Sequence, residues 1–261
     1  YQVYQEVLSS GYWGVGDLAI DSLGNVNIVL ENSPVLIQYD TSGTFIKSYI
    51  YSGSLGTFRS VNTDTSGNVY TVGSNGNNIV ITKISASTYN VIWSISVSTP
   101  GIFFTDSTVD IDSSGNVYVI GYGNSSDSYM IKLNSSGVIQ WQKGYAPATA
   151  YDTVEDTCID SSGNIYVLLE ESSGSHIIKL LKFDNTGAKV AESTITNPTS
   201  IAYKQIEIYG SNLYLVNYGG ASTVGVYLTL LDTSFNPIRN REIKFGYDYD
   251  TLGIAITPSY I

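Results

Sequence analysis

The residues of this chain that could do chemistry are mainly carboxylates, and several of them return at a nearly fixed spacing. Asp21, Asp64, Asp112 and Asp160 each open a run of the form Asp-x-x-Gly-Asn. In three of these runs a tyrosine follows two residues after the asparagine. Carboxylates in such positions suit metal binding, acid–base catalysis or hydrogen bonding to a turn.

A calcium site is one interpretation of the third run. The segment from Asp110 to Gly115 matches the opening Asp-x-Asp-x-Ser-Gly of a calcium-binding loop. The bidentate acid expected at the twelfth position is missing, because residue 121 is glycine, and sister runs carry Asn62 and Cys158 in place of the first acid. We therefore expect Asp112 to cap its own turn, and we predict no metal ligands.

Catalysis is a second interpretation. Glu155, Asp156, Glu170 and Glu171 lie in one repeat, and paired carboxylates can hydrolyse glycosidic bonds when they face each other across a cleft. His176 is the only histidine, which excludes sites built from several histidines. We predict no catalytic residue and no cofactor-binding residue.

The spacing of the runs predicts the architecture. Their asparagines, with a degenerate fifth copy, are separated by steps of 43, 48, 48 and 48 residues; they are Asn25, Asn68, Asn116, Asn164 and Asn212. A strand-like repeat of this length is typical of a toroidal array, and we predict an all-β β-propeller.

The third repeat divides into four strands, which we place at 107–112, 117–121, 127–133 and 138–143. A two-residue hairpin turn, with positive φ at Gly115 and Asn116, is predicted between the first two strands. Four antiparallel strands joined by tight turns make one propeller blade.

We predict one domain, 1–261, with five complete blades and a sixth composite blade that combines strands from both termini. The composite blade closes the ring without a free edge, although it would be incomplete. Five or seven blades are the alternatives, and the chain could also be cut from a longer protein. The predicted blades span about 15–51, 58–97, 105–143, 153–194 and 202–245, with 2–8 and 251–261 forming the composite blade.

Two segments carry a family likeness. Residues Asp112–Gly121 resemble the SBBP-type β-propeller repeat, and Leu133–Trp141 are similar to a hairpin of quinoprotein-like propellers. The likeness covers nearly the whole chain and implies fold rather than activity. SBBP-type repeats are common in secreted and surface proteins of bacteria and archaea. Quinoprotein enzymes need eight blades, so no cofactor residue is carried over.

Composition excludes some partners. The formal charge is 12 − 23 = −11, and such an acidic surface repels nucleic acid. The sequence has no run of about 18 apolar residues, so no membrane-spanning helix is predicted. The single cysteine, Cys158, is expected to be a small buried hydrophobic residue.

Two sets of aromatic residues invite a recognition role. The tyrosines at 70, 118, 166 and 214 recur in register, so we interpret them as packing residues rather than as a sugar-stacking ring. The loops before the blades carry candidate recognition residues: Tyr12, Trp13, Phe103, Phe104, Tyr145 and Tyr151. These loop residues could instead plug the seams between blades.

The sequence favours a noncatalytic propeller that is extracellular, on a cell surface or on a virion, and that binds a protein partner or a surface glycan in an adhesive or structural role. A polysaccharide lyase or glycosidase is one alternative. A structural subunit of a filament, sheath or capsid, assembled with neighbouring chains through the incomplete blade, is another. Few charged groups also predict a weak dependence of stability on pH.

Overall fold

The computed structural model describes residues 14–31, 33–51, 55–98, 104–123, 128–145, 152–172, 176–195, 201–219 and 225–244. These residues form five four-stranded antiparallel sheets, each with its strands in chain order. The predicted all-β fold and the four-stranded blades are confirmed, and five blades, one of the predicted alternatives, are present. The segments assigned to a sixth, composite blade, 2–8 and 251–261, lie outside the described residues.

Blade 1 consists of β1 Val15–Ile20, β2 Val26–Leu30, β3 Val35–Tyr39 and β4 Phe45–Ile50, and blade 2 of β5 Thr57–Thr63, β6 Val69–Asn75, β7 Asn78–Ile84 and β8 Val91–Ser98. Blade 3 consists of β9 Phe104–Ile111, β10 Val117–Gly123, β11 Ser128–Leu133 and β12 Ile139–Tyr145, and blade 4 of β13 Asp152–Ile159, β14 Ile165–Ser172, β15 His176–Phe183 and β16 Lys189–Ile195. Blade 5 consists of β17 Ile201–Tyr209, β18 Asn212–Gly219, β19 Gly225–Asp232 and β20 Pro237–Lys244.

The turn between the first two strands is wider than the sequence predicts. In blade 3 the Gly115 N–H donates to the Asp112 carbonyl at 2.9 Å, and the Asp112 N–H donates to the Asn116 carbonyl at 3.0 Å. Gly115 has a φ of 77°, whereas Asn116 does not have a positive φ. The prediction of a two-residue turn here is wrong, because the Asp112 carboxylate holds the longer loop by accepting the Ser114 and Asn116 N–H groups.

Blades 1 to 3 lie in one compact unit, and blades 4 and 5 lie in a second, which also includes the last three residues of β12. In the first unit, apolar side chains fill the seam between blades 1 and 2, around Val29 and Phe58, and the seam between blades 2 and 3, around Ile81 and Val119. These seams are the core, because each sheet buries apolar side chains against its neighbour.

In the described part of the second unit, apolar side chains fill the seam between blades 4 and 5. It is built from Tyr166, Leu168 and Leu180 of blade 4, packed against Leu213 and other apolar side chains of blade 5. Cys158 belongs to this seam and is 4% exposed, so its prediction as a small buried hydrophobic residue is confirmed.

Candidate interaction surface

The repeated aspartate is the centre of a hydrogen-bonded cluster at one end of each of blades 1 to 4. In blade 2 Asp64 Oδ1 accepts the Ser66 and Asn68 backbone N–H groups at 3.0 and 2.9 Å. Asp64 Oδ2 accepts Asn68 Nδ2 at 2.9 Å and the Tyr70 hydroxyl at 3.0 Å. The Lys83 Nζ lies 3.4 Å from the same oxygen. The carboxylate is therefore fully engaged in holding the turn and the second strand.

The same cluster recurs in blades 3 and 4. The hydroxyls of Tyr118 and Tyr166 donate to the aspartate of their own blade at 3.1 Å. Lys132 and Lys182 lie over these two rings, with Nζ 4.9 and 5.0 Å from the ring centroid. Both tyrosines are fully buried, so the prediction that the recurring tyrosines are packing residues holds, with a hydrogen-bonding role added.

These contacts shift the pKa values of the clusters. Burial opposes ionisation of Asp64 and Asp160, but hydrogen bonds from the neighbouring asparagine and tyrosine outweigh it, and both carboxyl pKa values lie below their ordinary value. Burial, with the adjacent carboxylate, raises the pKa of Tyr70 and Tyr166. Asp64 and Asp160 therefore stay ionised, and Tyr70 and Tyr166 stay hydrogen-bond donors.

Blade 1 keeps the turn but replaces the tyrosine and the lysine. Asn27 and Gln38 occupy their positions, and Gln38 Nε2 donates to Asn27 Oδ1 at 3.1 Å. The Tyr89 hydroxyl, which comes from blade 2, donates to Gln38 Oε1. The neighbouring blade thus supplies the phenol that blade 1 lacks.

An aromatic side chain covers each cluster, and it comes from one of two places. In blades 2 and 3 the outer strand of the same blade supplies it, because Trp93 and Trp141 meet Tyr70 and Tyr118 edge to face. In blade 4 the next blade supplies it, because Phe235 meets Tyr166 with ring centroids 6.2 Å apart.

The first strands of adjacent blades are tied together by polar side chains. Asp17 Oδ2 accepts the Val61 N–H at 3.0 Å and the Ser60 hydroxyl at 2.7 Å. In the second unit Asp156 Oδ2 accepts the Ile206 N–H at 2.9 Å. The bonds from Val61 and Ile206 each satisfy a backbone donor on the first strand of the next blade, where an edge strand would otherwise leave it unpaired. Burial raises the pKa of Asp17, despite these hydrogen bonds.

Of the candidate catalytic acids, Asp156 therefore accepts a hydrogen bond from the backbone of the next blade. Glu155 follows Val154 at a bulge in β13, and Glu170 lies on the adjacent strand β14. Among the described residues, no group of three or more His, Cys, Asp or Glu side chains is arranged to hold a metal ion. No helix of the described part is long and apolar enough to cross a membrane.

Only one predicted recognition residue can be placed in full. Tyr145, at the end of β12, packs edge to face on Phe183, and its hydroxyl accepts a hydrogen bond from Lys189 Nζ at 3.3 Å. It is half-buried against blade 4. Phe104 begins β9, but its side chain lies outside the description, as do residues Tyr12, Trp13, Phe103 and Tyr151.

The most exposed apolar strand among those described is β1. Ala19 packs into the seam with blade 2, so Leu18 and Ile20 point to the opposite side of the sheet, because side chains alternate along a strand. They are 55% and 54% exposed, and Val15 and Leu23 on the same stretch are exposed as well.

That side of blade 1 is apolar across all four strands. Leu30, Val35 and Ile37 form a buried cluster, with Ile28, Tyr39 and Phe45 packed against it. We call Leu18, Ile20, Ile28, Ile37 and Phe45 the apolar face of blade 1. A sheet that is apolar on both sides is built to lie between two other layers, and sequence reasoning missed this face because both sides of every blade share the pattern.

Solved structures share this fold at low identity. A protein of unknown function from Bacteroides caccae is 12% identical, with a TM-score of 0.60, and the match covers 90% of this chain and 83% of that one. Streptogramin B lyase is 14% identical, with a TM-score of 0.57 and coverage of 90% and 70%. The Dos1 propeller is 11% identical, with a TM-score of 0.57 and coverage of 87% and 57%.

Identities this low establish fold alone, and the fold is the predicted β-propeller. No family model matches the chain, and no curated protein sequence matches it.

Proposed function

We propose that this chain is a noncatalytic β-propeller that acts as a binding and structural module outside the cell or on a virion. The apolar face of blade 1 is the observation that carries the proposal. Leu18 and Ile20 keep more than half of their surface exposed, although they belong to a sheet whose other side is a packed seam. Exposed apolar surface of this kind marks contact with another protein.

The chemistry of the face favours a protein over a glycan. Its exposed members are aliphatic, whereas sugar recognition uses aromatic stacking together with several hydrogen bonds. We therefore propose that a neighbouring copy of this chain packs a sheet against the face, as in an array. Only about half of each side chain is still exposed, so burying the rest of Leu18 or Ile20 would stabilise such a contact by about 1 kcal/mol each.

Sedimentation velocity on the whole chain tests this. The double variant L18S/I20S is compared with wild type and with I92S, which changes an isoleucine of similar exposure, 52%, on the outer strand of blade 2. We expect wild type and I92S to self-associate and the double variant to stay monomeric. A monomeric wild type, or equal association of all three proteins, contradicts the proposal.

We also propose that the repeat belongs to the SBBP type and that the protein is exported. The Asp-x-x-Gly-Asn turn with its buried tyrosine, repeated in blades 2 to 4, supports the first proposal. The low content of charged residues, 13%, is consistent with the second. Cell fractionation of the source, with detection by mass spectrometry, tests export, and recovery only from the cytosol contradicts it.

A further inference from the structure

Blade 5 keeps part of the carboxylate-binding cluster that blades 2 to 4 complete internally. In blades 2 to 4 a buried phenol donates to an aspartate at 3.0–3.1 Å, and a lysine lies over the ring. In blade 2 the carboxylate of Asp64 is held between this hydroxyl donor and the Lys83 cation. Charge-assisted hydrogen bonds of this kind are stronger than neutral ones.

In blade 5 the phenol is present but the carboxylate is not. Tyr214 occupies the tyrosine position and is 6% exposed. Tyr209 stands where the other blades have aspartate, and Gly210 with Ser211 forms a two-residue turn that carries no acid. The Tyr214 hydroxyl is buried and has no hydrogen-bond partner among the described residues. A buried donor without an acceptor costs about 1–3 kcal/mol.

In blade 5 the cation nearest this position lies one strand farther out, on β20 instead of β19. Leu230 pairs with Tyr214 where the other blades carry lysine, and Arg239 pairs with Leu230 on β20. Cross-strand partners share one face of a sheet, so Arg239 lies on the Tyr214 face, at the position from which Trp93 reaches the Tyr70 ring in blade 2. Arg241 is two residues farther along the same face, and both arginines are exposed.

Glu207 is the one acid in this row, because it pairs with Tyr214 on β17. It does not accept the Tyr214 hydroxyl hydrogen bond. Asp232, opposite Asn212, lies on the same face and accepts hydrogen bonds within its own turn. The two arginines and the two acids of this face therefore balance in formal charge. Guanidinium groups are well suited to bind carboxylates through two parallel hydrogen bonds.

We propose that Tyr214 and Arg239 keep the donor and the cation of the repeat's own carboxylate site without its aspartate, and that they bind a carboxylate side chain of a protein partner. The hydroxyl donates to one carboxylate oxygen, and the guanidinium of Arg239, assisted by Arg241, binds the other. This site lies on blade 5 and does not depend on the apolar face of blade 1.

The chain contains only three arginines, at 59, 239 and 241, so their Nε–H signals can be followed individually by NMR in the whole protein. The probe is the tripeptide acetyl-Gly-Asp-Gly-amide, and the matched control is the same tripeptide with Asn. We expect the Asp probe to shift the Arg239 signal, to leave Arg59 unchanged and to bind about tenfold more weakly to Y214F and to R239Q. The Asn probe should give no shift.

Three results would overturn the proposal. The first is an Arg239 signal that does not respond to the Asp probe at saturating concentration. The second is equal affinity in wild type and Y214F. The third is that the Arg239 signal of unliganded E207Q or unliganded D248N/D250N is shifted from that of wild type, while the Asp probe gives no response. That result would assign the site to a carboxylate of the same chain.

Discussion

At the scale of single residues, Tyr166 and Tyr214 are the most informative pair. Both are buried, but only the Tyr166 hydroxyl has an acceptor, Asp160 at 3.1 Å. We expect Y166F to lower the free energy of unfolding by about 1–2 kcal/mol, because it leaves a carboxylate without a donor. Y214F should leave stability unchanged or raise it, because it removes a donor that has no partner.

Urea denaturation of the two variants and wild type measures this difference. The same loss in Y166F and Y214F would show that the repeated aspartate contributes nothing through the phenol.

The carboxylates also set the response to acid. The pKa values of Asp64 and Asp160 lie below the ordinary value of 3.8. Side-chain and backbone hydrogen bonds within their own turns also lower the pKa values of Asp40, Asp184 and Asp232. A lowered folded-state pKa contributes stability above the unfolded value, and this stability is lost as pH falls through the folded one. We expect a nearly constant melting temperature from pH 7 to about 5 and a decline below about pH 4.

Asp17 contributes with the opposite sign. Its folded-state pKa is raised by burial, so its protonation favours the native state as pH falls through that value. Melting curves of wild type and D17N between pH 7 and 3 should therefore diverge, with D17N losing more stability on acidification. A melting temperature that falls steadily between pH 7 and 5 would contradict this assignment.

At the scale of elements, the outer hairpin turn of blade 3 packs against blade 2, whereas the equivalent turn of blade 1 does not pack against a neighbour. Gly137 has a φ of 81°, and a Cβ there would lie 2.9 Å from the Trp93 ring, whereas Gly43 has a φ of 78° and open space around it. Both G43A and G137A incur the strain of a left-handed alanine, about 1–2 kcal/mol. G137A should cost a further 1–3 kcal/mol or so, because it pushes against the tryptophan.

Chemical denaturation of G43A and G137A separates the two effects, since the backbone conformation is matched. Equal losses of stability would mean that the contact with Trp93 carries no strain.

The elements also show what sequence could establish. The repeat predicted four strands per blade, because hydrophobic alternation and turn residues are local signals. It misjudged the turn at Gly115, where a side-chain carboxylate rather than the glycine–asparagine pair sets the loop length. It also missed that Tyr89 and Phe235 complete the clusters of preceding blades, since 51 residues separate Tyr89 from Gln38 and no local pattern links them.

One part of the candidate site could likewise be predicted from the sequence, and another part could not. The missing aspartate beside Tyr214 is visible in the sequence as the degenerate fifth copy, so that part could be predicted from the repeat. The exposure of Leu18 and Ile20 could not be predicted from the sequence. Equivalent side chains of other blades, such as Val109 and Ile206, are also aliphatic but are buried in seams. Burial depends on what packs against a face, and composition does not encode that.

At the scale of the whole molecule, we propose that blade 1 makes the contact with another protein chain. The single natural cysteine, Cys158, is buried, so a cysteine introduced on the surface can be labelled selectively with a thiol reagent. I20C reports on the apolar face, and I92C reports on an exposed position of similar solvent accessibility away from it.

The most direct measurement is the labelling rate of I20C and I92C in the intact protein at concentrations at which it assembles. We expect slow labelling at I20C and fast labelling at I92C, and we expect labelling at I20C to become fast on dilution to monomer. Equally fast labelling at both positions at every concentration would contradict the claim that the apolar face of blade 1 is an interface between copies.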